Sequence, residues 1–156
     1  MRTSCLSALC LAALVAACAR SGEKTADSST GAVDTTRAAS NPTLADFAGT
    51  WKGLSRPAEG KDTTATEQTI NAKSDTTGWT MIVGGHTVPL HVQMSGDSVM
   101  TVSEPFPSVR RKGVTVTSTT TYHLEEGKLI GHTVAHYKVK TADSVLVLHS
   151  EATKTP

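Results

Sequence analysis

Beyond position 18 the chain has no cysteine: Cys5, Cys10 and Cys18 are the three it contains. The polypeptide after Cys18 therefore has no disulfide, no zinc–thiolate site and no cysteine nucleophile, and its fold must stand on its core alone. Aromatic residues are scarce, with two Trp, two Tyr and two Phe, so the core is mainly aliphatic and each ring is a candidate keystone. Charge of one sign is lacking too. Lys and Arg number 15 against 14 Asp and Glu, and without Arg2 the balance is neutral. No basic excess is left to neutralise phosphates, which argues against nucleic acid as a partner. No apolar period of 3.6 longer than one turn occurs after Phe47, and there is no nucleophile motif, no sign of paired acids at a pocket and no glycine-rich phosphate loop. No catalytic residue and no cofactor are assigned, an enzyme is not expected, and a hydrolase in particular is poorly supported.

Long hydrophobic runs are absent except at the start. Met1-Arg2 is followed by an apolar stretch from Cys5 to Ala17 that ends in Val15-Ala16-Ala17-Cys18. A basic n-region, a short apolar run and a small-residue cleavage site make a secretory signal, too short for a permanent membrane span. Small residues directly before the cysteine resemble the lipobox of bacterial lipoproteins. That resemblance implies a signal peptide over residues 1–17, cleavage before Cys18, and a mature chain anchored to the membrane by acyl chains, palmitate among them, on Cys18. Ala19 is not the Asp that retains many lipoproteins in the inner membrane, so the resemblance implies an outer-membrane, periplasm-facing location.

Residues 18–43 form the lipidated cysteine and a segment of Ser, Thr, Ala, Gly and Asp with isolated charges. Such a composition cannot bury enough apolar surface to offset its ordering entropy and reads as a disordered tether. Thr43 and Asp46 have capping-box spacing, which predicts one helical turn presenting Leu44 and Phe47 on one side. From 44 to 156 the chain reads as a single all-β domain. Apolar and β-branched runs over 49–56, 64–73, 78–84, 86–95, 98–104, 113–125, 128–140 and 144–153 alternate with turn signals, which predicts about eight antiparallel strands in an up-and-down β-barrel.

Three hairpins have a readable register. A two-residue turn at Gly84-Gly85 pairs Val83 with His86, Met81 with Val88 and Trp79 with Leu90, all core-facing apart from His86. A turn at Glu126-Gly127 pairs Leu124 with Leu129 and lays the Tyr122 ring over Gly131, with Val114, Val116, Ala135, Tyr137 and Val139 on the same side. The other side of these strands, from Thr115 through His123 and from Ile130 through Lys138, is mostly polar and faces water. A turn at Ala142-Asp143 adds Leu146 and Leu148 to the core and sets His149 opposite His136.

Phe47-x-Gly49-Thr50-Trp51, opening the first strand of an eight-stranded meander, resembles the Gly-x-Trp start of lipocalins and related calycin barrels, including avidins. The resemblance implies that Trp51 closes the barrel base and that the other end is open to a small, usually apolar ligand. Lipocalins often lay an Arg from the end of the last strand over that Trp. This chain offers Lys154 there.

The expected role is thus an outer-membrane-anchored lipoprotein whose lipocalin-like barrel binds a small apolar ligand or an envelope component, with Trp79, Met81, Phe106, Tyr122 and Tyr137 as candidate ligand contacts. The alternative is an envelope protein-interaction module built on a filled barrel, and interior size discriminates the two. A metal site on the outer face would draw on His132, His136, His149 and Glu151. His132 and His136 cannot chelate together along one strand, where four residues span about 13 Å, so such a site would have to form across strands. The stretch Glu104 to Gly113, with Pro105, Pro107 and three consecutive cations from Arg110 to Lys112, is the longest irregular connection and reads as a rim or lid.

Overall fold

A computed structural model describes residues 41–141 and 144–156. The expected signal segment and the expected tether up to residue 40, and with them Cys18, lie outside the described residues, as do the two residues of the expected Ala142-Asp143 turn.

Among the described residues a single helical turn, α1 (Leu44–Phe47), precedes nine strands: β1 (Gly49–Pro57), β2 (Thr66–Ala72), β3 (Thr80–Val83), β4 (His86–Ser95), β5 (Ser98–Ser103), β6 (Phe106–Pro107), β7 (Thr115–Glu125), β8 (Lys128–Tyr137) and β9 (Val145–Thr155). Eight of them close an antiparallel barrel. Neighbours in sequence pair from β1 to β5, β5 pairs with β7, β7 with β8, β8 with β9, and β9 returns to β1. The extra element, β6, continues the line of β5 along β7. Val99 pairs with Tyr122 and Phe106 with Val116, so one more residue is used on the β5–β6 side than on β7. Glu104-Pro105 is therefore a bulge, placed where a proline's missing N–H costs the ladder nothing.

The expected capping box forms: the Thr43 N–H and hydroxyl both donate to Asp46 Oδ2, at 2.7 and 2.8 Å. This turn drives Phe47, which is fully buried, into one end of the barrel, the base. Trp51 packs beside it and donates from Nε1 to the Phe47 carbonyl at 2.7 Å. The Lys154 ammonium stands 5.4 Å from the centre of the Trp51 ring, so β9 does lay a cation over the first-strand tryptophan. Trp79, Ile70, Val99 and Leu129 complete the base, and each is 1 % exposed or less.

Two of the expected registers are present. Val83 pairs with His86 and Met81 with Val88, and Gly84 and Gly85 both have positive φ, as a type I′ turn requires. Leu124 pairs with Leu129 and Tyr122 with Gly131, where a Cβ would come within 2.7 Å of the Tyr122 ring. The third register is corrected. His149 pairs with His132, and His136 pairs with Val145. The strand ends early because the Val139 N–H turns back onto the Tyr137 carbonyl at 2.8 Å, while the Tyr137 N–H takes the Ser144 carbonyl at 2.7 Å. The β8–β9 connection is thus longer than two residues, and β9 slides by an even number of residues. An even slip preserves which face each side chain occupies, so Leu146 and Leu148 still pack against the core.

Away from the base the interior turns polar. Ser55, Thr101, Ser103, Ser118, Thr120, Thr133 and Ser150 are all buried. Thr120 and Thr133 share a hydrogen bond at 2.8 Å, Ser103 Oγ accepts from the Ser118 N–H at 2.8 Å, and the Thr101 and Ser150 hydroxyls donate to the Thr120 and Gly131 carbonyls at 3.5 and 3.4 Å. Among the described residues no buried side-chain polar atom lacks a partner.

Tyr122 lies between the two regions, and burial pushes its phenol up from 10.0 to about 12, slightly offset by a hydrogen bond with Thr120. A raised folded-state value means that the native state resists ionisation. The stability this provides is whole below pH 10 and is lost as pH climbs from 10 through 12. Tyr122→Phe should therefore flatten the alkaline decline in unfolding free energy by about 3 kcal/mol across that window, measured by urea melts at stepped pH. A parent and variant that decline in parallel would place the phenol in water.

Candidate functional site

The end opposite the base, the mouth, is framed by residues 58–65, 84–85, 104–114 and 138–141. The 104–114 segment crosses it. Because of the Glu104-Pro105 bulge, Phe106 turns inward and is 9 % exposed. Two residues beyond Phe106, Ser108 receives the N–H groups of Arg110 and Arg111 on its hydroxyl, at 3.1 and 3.0 Å. That tight turn aims Arg110 back across the opening, where one guanidinium nitrogen donates to the Ser55 and Thr64 carbonyls at 3.1 and 2.6 Å and another meets Asp62 at 3.3 Å. The Asp62 carboxyl is held below its ordinary value, first by hydrogen bonds from Thr64 and then by Arg110. Arg111 stacks on Tyr137, its guanidinium carbon 4.1 Å from the ring centre.

Under this strap the interior retains a cavity of about 60 Å³, lined by Ser118, Thr120 and Thr133 on its polar side and by Met81, Phe106 and Tyr137 among its apolar walls. Ligand sites for small molecules occupy about 300–1,000 Å³. The space suits a water or two. Of the five residues expected to touch a ligand, Met81, Phe106 and Tyr137 line this cavity, whereas Trp79 and Tyr122 are packed in and above the base and do not reach it. The indole of Trp79 is committed to backbone, donating to the Lys73 and Asp75 carbonyls at 3.1 and 2.8 Å.

On the outer face, His132 and His149 are cross-strand neighbours with ring centres 5.3 Å apart, edge to face. Arg56 sits across from His149 on β1, and Glu151 is bound by Lys128 at 2.7 Å. His136 is opposite Val145, away from the pair. Of the four expected metal donors only two converge, a cation flanks them and the carboxylate is taken. Among the described residues no three His, Cys, Asp or Glu side chains are placed to hold a metal ion. Sequence reasoning missed the latch. The adjacent Arg110 and Arg111 are legible as a basic stretch, but their opposite commitments depend on the Ser108 turn.

The fold and its filled interior define a closed, eight-stranded meander barrel with a strapped mouth. No protein-family model, no curated protein and no solved structure matches the chain.

Proposed function

We propose that this chain is an envelope lipoprotein, anchored through Cys18 in the outer membrane and facing the periplasm, whose barrel is an interaction module that works through its outside. The observation that carries this reading is the size of the interior. A cavity of about 60 Å³ under a latched strap holds no apolar ligand of lipocalin type. To serve as a carrier, the barrel would have to expel Phe106 and break the bonds of Arg110 to Ser55 and Thr64. The anchor rests on the Val15-Ala16-Ala17-Cys18 pattern and on the polar composition of the segment after it.

The two halves of the proposal are tested separately. Cys18→Ala removes the acyl acceptor and should release the chain from the membrane fraction or leave it uncut, as read by fractionation and intact mass. A mature-length variant that still sediments with membranes would remove the anchor from the proposal. For the barrel, titration with an apolar fluorescent probe should show no saturable site. Stoichiometric binding abolished by filling the cavity, for instance with Ala135→Leu, would restore the carrier reading.

A further inference from the structure

The two ends of the barrel differ in charge and in exposed apolar surface. Among the described residues, the connections at the mouth carry six cations and three acids, whereas the base connections and the turn that precedes β1 carry one cation and four acids. Two of the mouth acids are already engaged, Asp62 by Arg110 and Glu104 by His91. The exposed large hydrophobic residues follow the same polarity. Ile82, Val102, Val109 and Val145 all stand at the mouth or within two residues of a strand end there, and the base has none among the described residues. Val109 and Val145 are the most exposed, at 45 % and 47 %.

Four of the cations, Arg111, Lys112, Lys138 and Lys140, come from two adjoining loops. Arg111 is held on Tyr137, the Lys138 N–H bonds the Thr115 carbonyl at 2.8 Å, and the exposed Lys112 and Lys140 extend from the same two loops. Val109 leans on Gly84, where even a Cβ would collide with it, so its aliphatic tip is propped outward at the rim.

We propose that this mouth rim docks onto an anionic lipid bilayer surface. Lysines are point charges that accept a fluid array of phosphates, and short aliphatic tips among them reach the headgroup–acyl boundary, so that shallow apolar insertion and charge attraction add. The patch lies on several loops around a closed mouth, and the open cleft of about 650 Å³ beside it is lined by Val109 and Arg110 but by none of the lysines. The acidic base, where the polypeptide leads into α1, repels the same surface and orients the barrel mouth-first. The proposal shares with the preceding reading only the premise that the barrel works through its outside. It requires neither the anchor at Cys18 nor an empty interior, so each can fail without the other.

The test uses residues 41–156, which contain all the described strands, the plugging turn and the core they enclose. The probes are vesicles of phosphatidylcholine alone and of phosphatidylcholine with about one third phosphatidylglycerol, sedimented at low and at high salt. Binding is expected to the anionic vesicles only and to be lost as salt rises. With each cation near the surface contributing roughly fivefold, Lys112→Gln, Lys138→Gln and Lys140→Gln together should weaken it about a hundredfold with an unchanged melting temperature. Val109→Ser should weaken it severalfold without changing its salt dependence. No binding to anionic vesicles at low salt, or undiminished binding by the triple variant, overturns the proposal. Salt-sensitive binding to soluble polyglutamate without binding to vesicles also overturns it, and would assign the rim to an acidic protein.

Discussion

Trp79→Ala should lower the unfolding free energy by about 3 to 5 kcal/mol, measured in a chemical melt. The ring is 1 % exposed and fills the base beside Phe47 and Ile70, so its removal leaves a cavity that the closed ladder cannot collapse around. The Lys73 and Asp75 carbonyls also lose the donor that ties the 73–79 connection to the core. In a domain stable by about 5 to 15 kcal/mol the loss is a large share. Trp79→Phe separates the contributions: it restores most of the volume but not the hydrogen bonds, and should recover more than half of the loss. A Trp79→Ala change below about 1 kcal/mol would contradict a sealed base.

Gly53→Ala should cost about 3 kcal/mol for the opposite reason. Gly53 lies on β1 where β9 closes the barrel, paired with Ala152. A Cβ there would overlap the Glu151 carbonyl oxygen and come within 2.6 Å of the Ala152 Cα. These are backbone atoms, so no rotamer relieves the collision and the β1–β9 seam must part. Amide hydrogen exchange should show the protection lost first along this seam, between Thr50 and Pro57 and their partners on β9. An unchanged melt would mean that β1 and β9 do not close the barrel.

The features legible in the sequence are those with local causes. The two-residue turns at Gly84-Gly85 and Glu126-Gly127 fix register by backbone conformation, and the pairs across them, including Tyr122 over Gly131, stand as expected. The helical turn at Leu44–Phe47 is legible from Thr43 and Asp46 for the same reason. The β8–β9 connection is not, because Tyr137 is followed by Lys-Val-Lys-Thr, which continues a β pattern, and only the Val139-to-Tyr137 bond ends the strand. This is why the histidine partner of His149 is His132. The place of Phe106, at the rim or in the core, is not legible either, since strict alternation from Ser103 points it outward and only the bulge at Glu104-Pro105 turns it in. The hydroxyl-rich interior is written in Ser118, Thr120 and Thr133, which alternate with the outward-facing residues of β7 and β8. Their pairing across strands, and the small volume it leaves, are tertiary facts.

The central claim is that the interior is closed and filled, so that the barrel works through its outside. The measurement that tests it most directly is native mass spectrometry of the protein purified from its own envelope, run for the parent and for Ala135→Leu, which fills the cavity from one wall. The expected result is the bare polypeptide with its covalent modification and the same set of adducts in both, since any retained lipid would sit at the rim. A small molecule carried by the parent and absent from Ala135→Leu would contradict the claim and make the barrel a carrier.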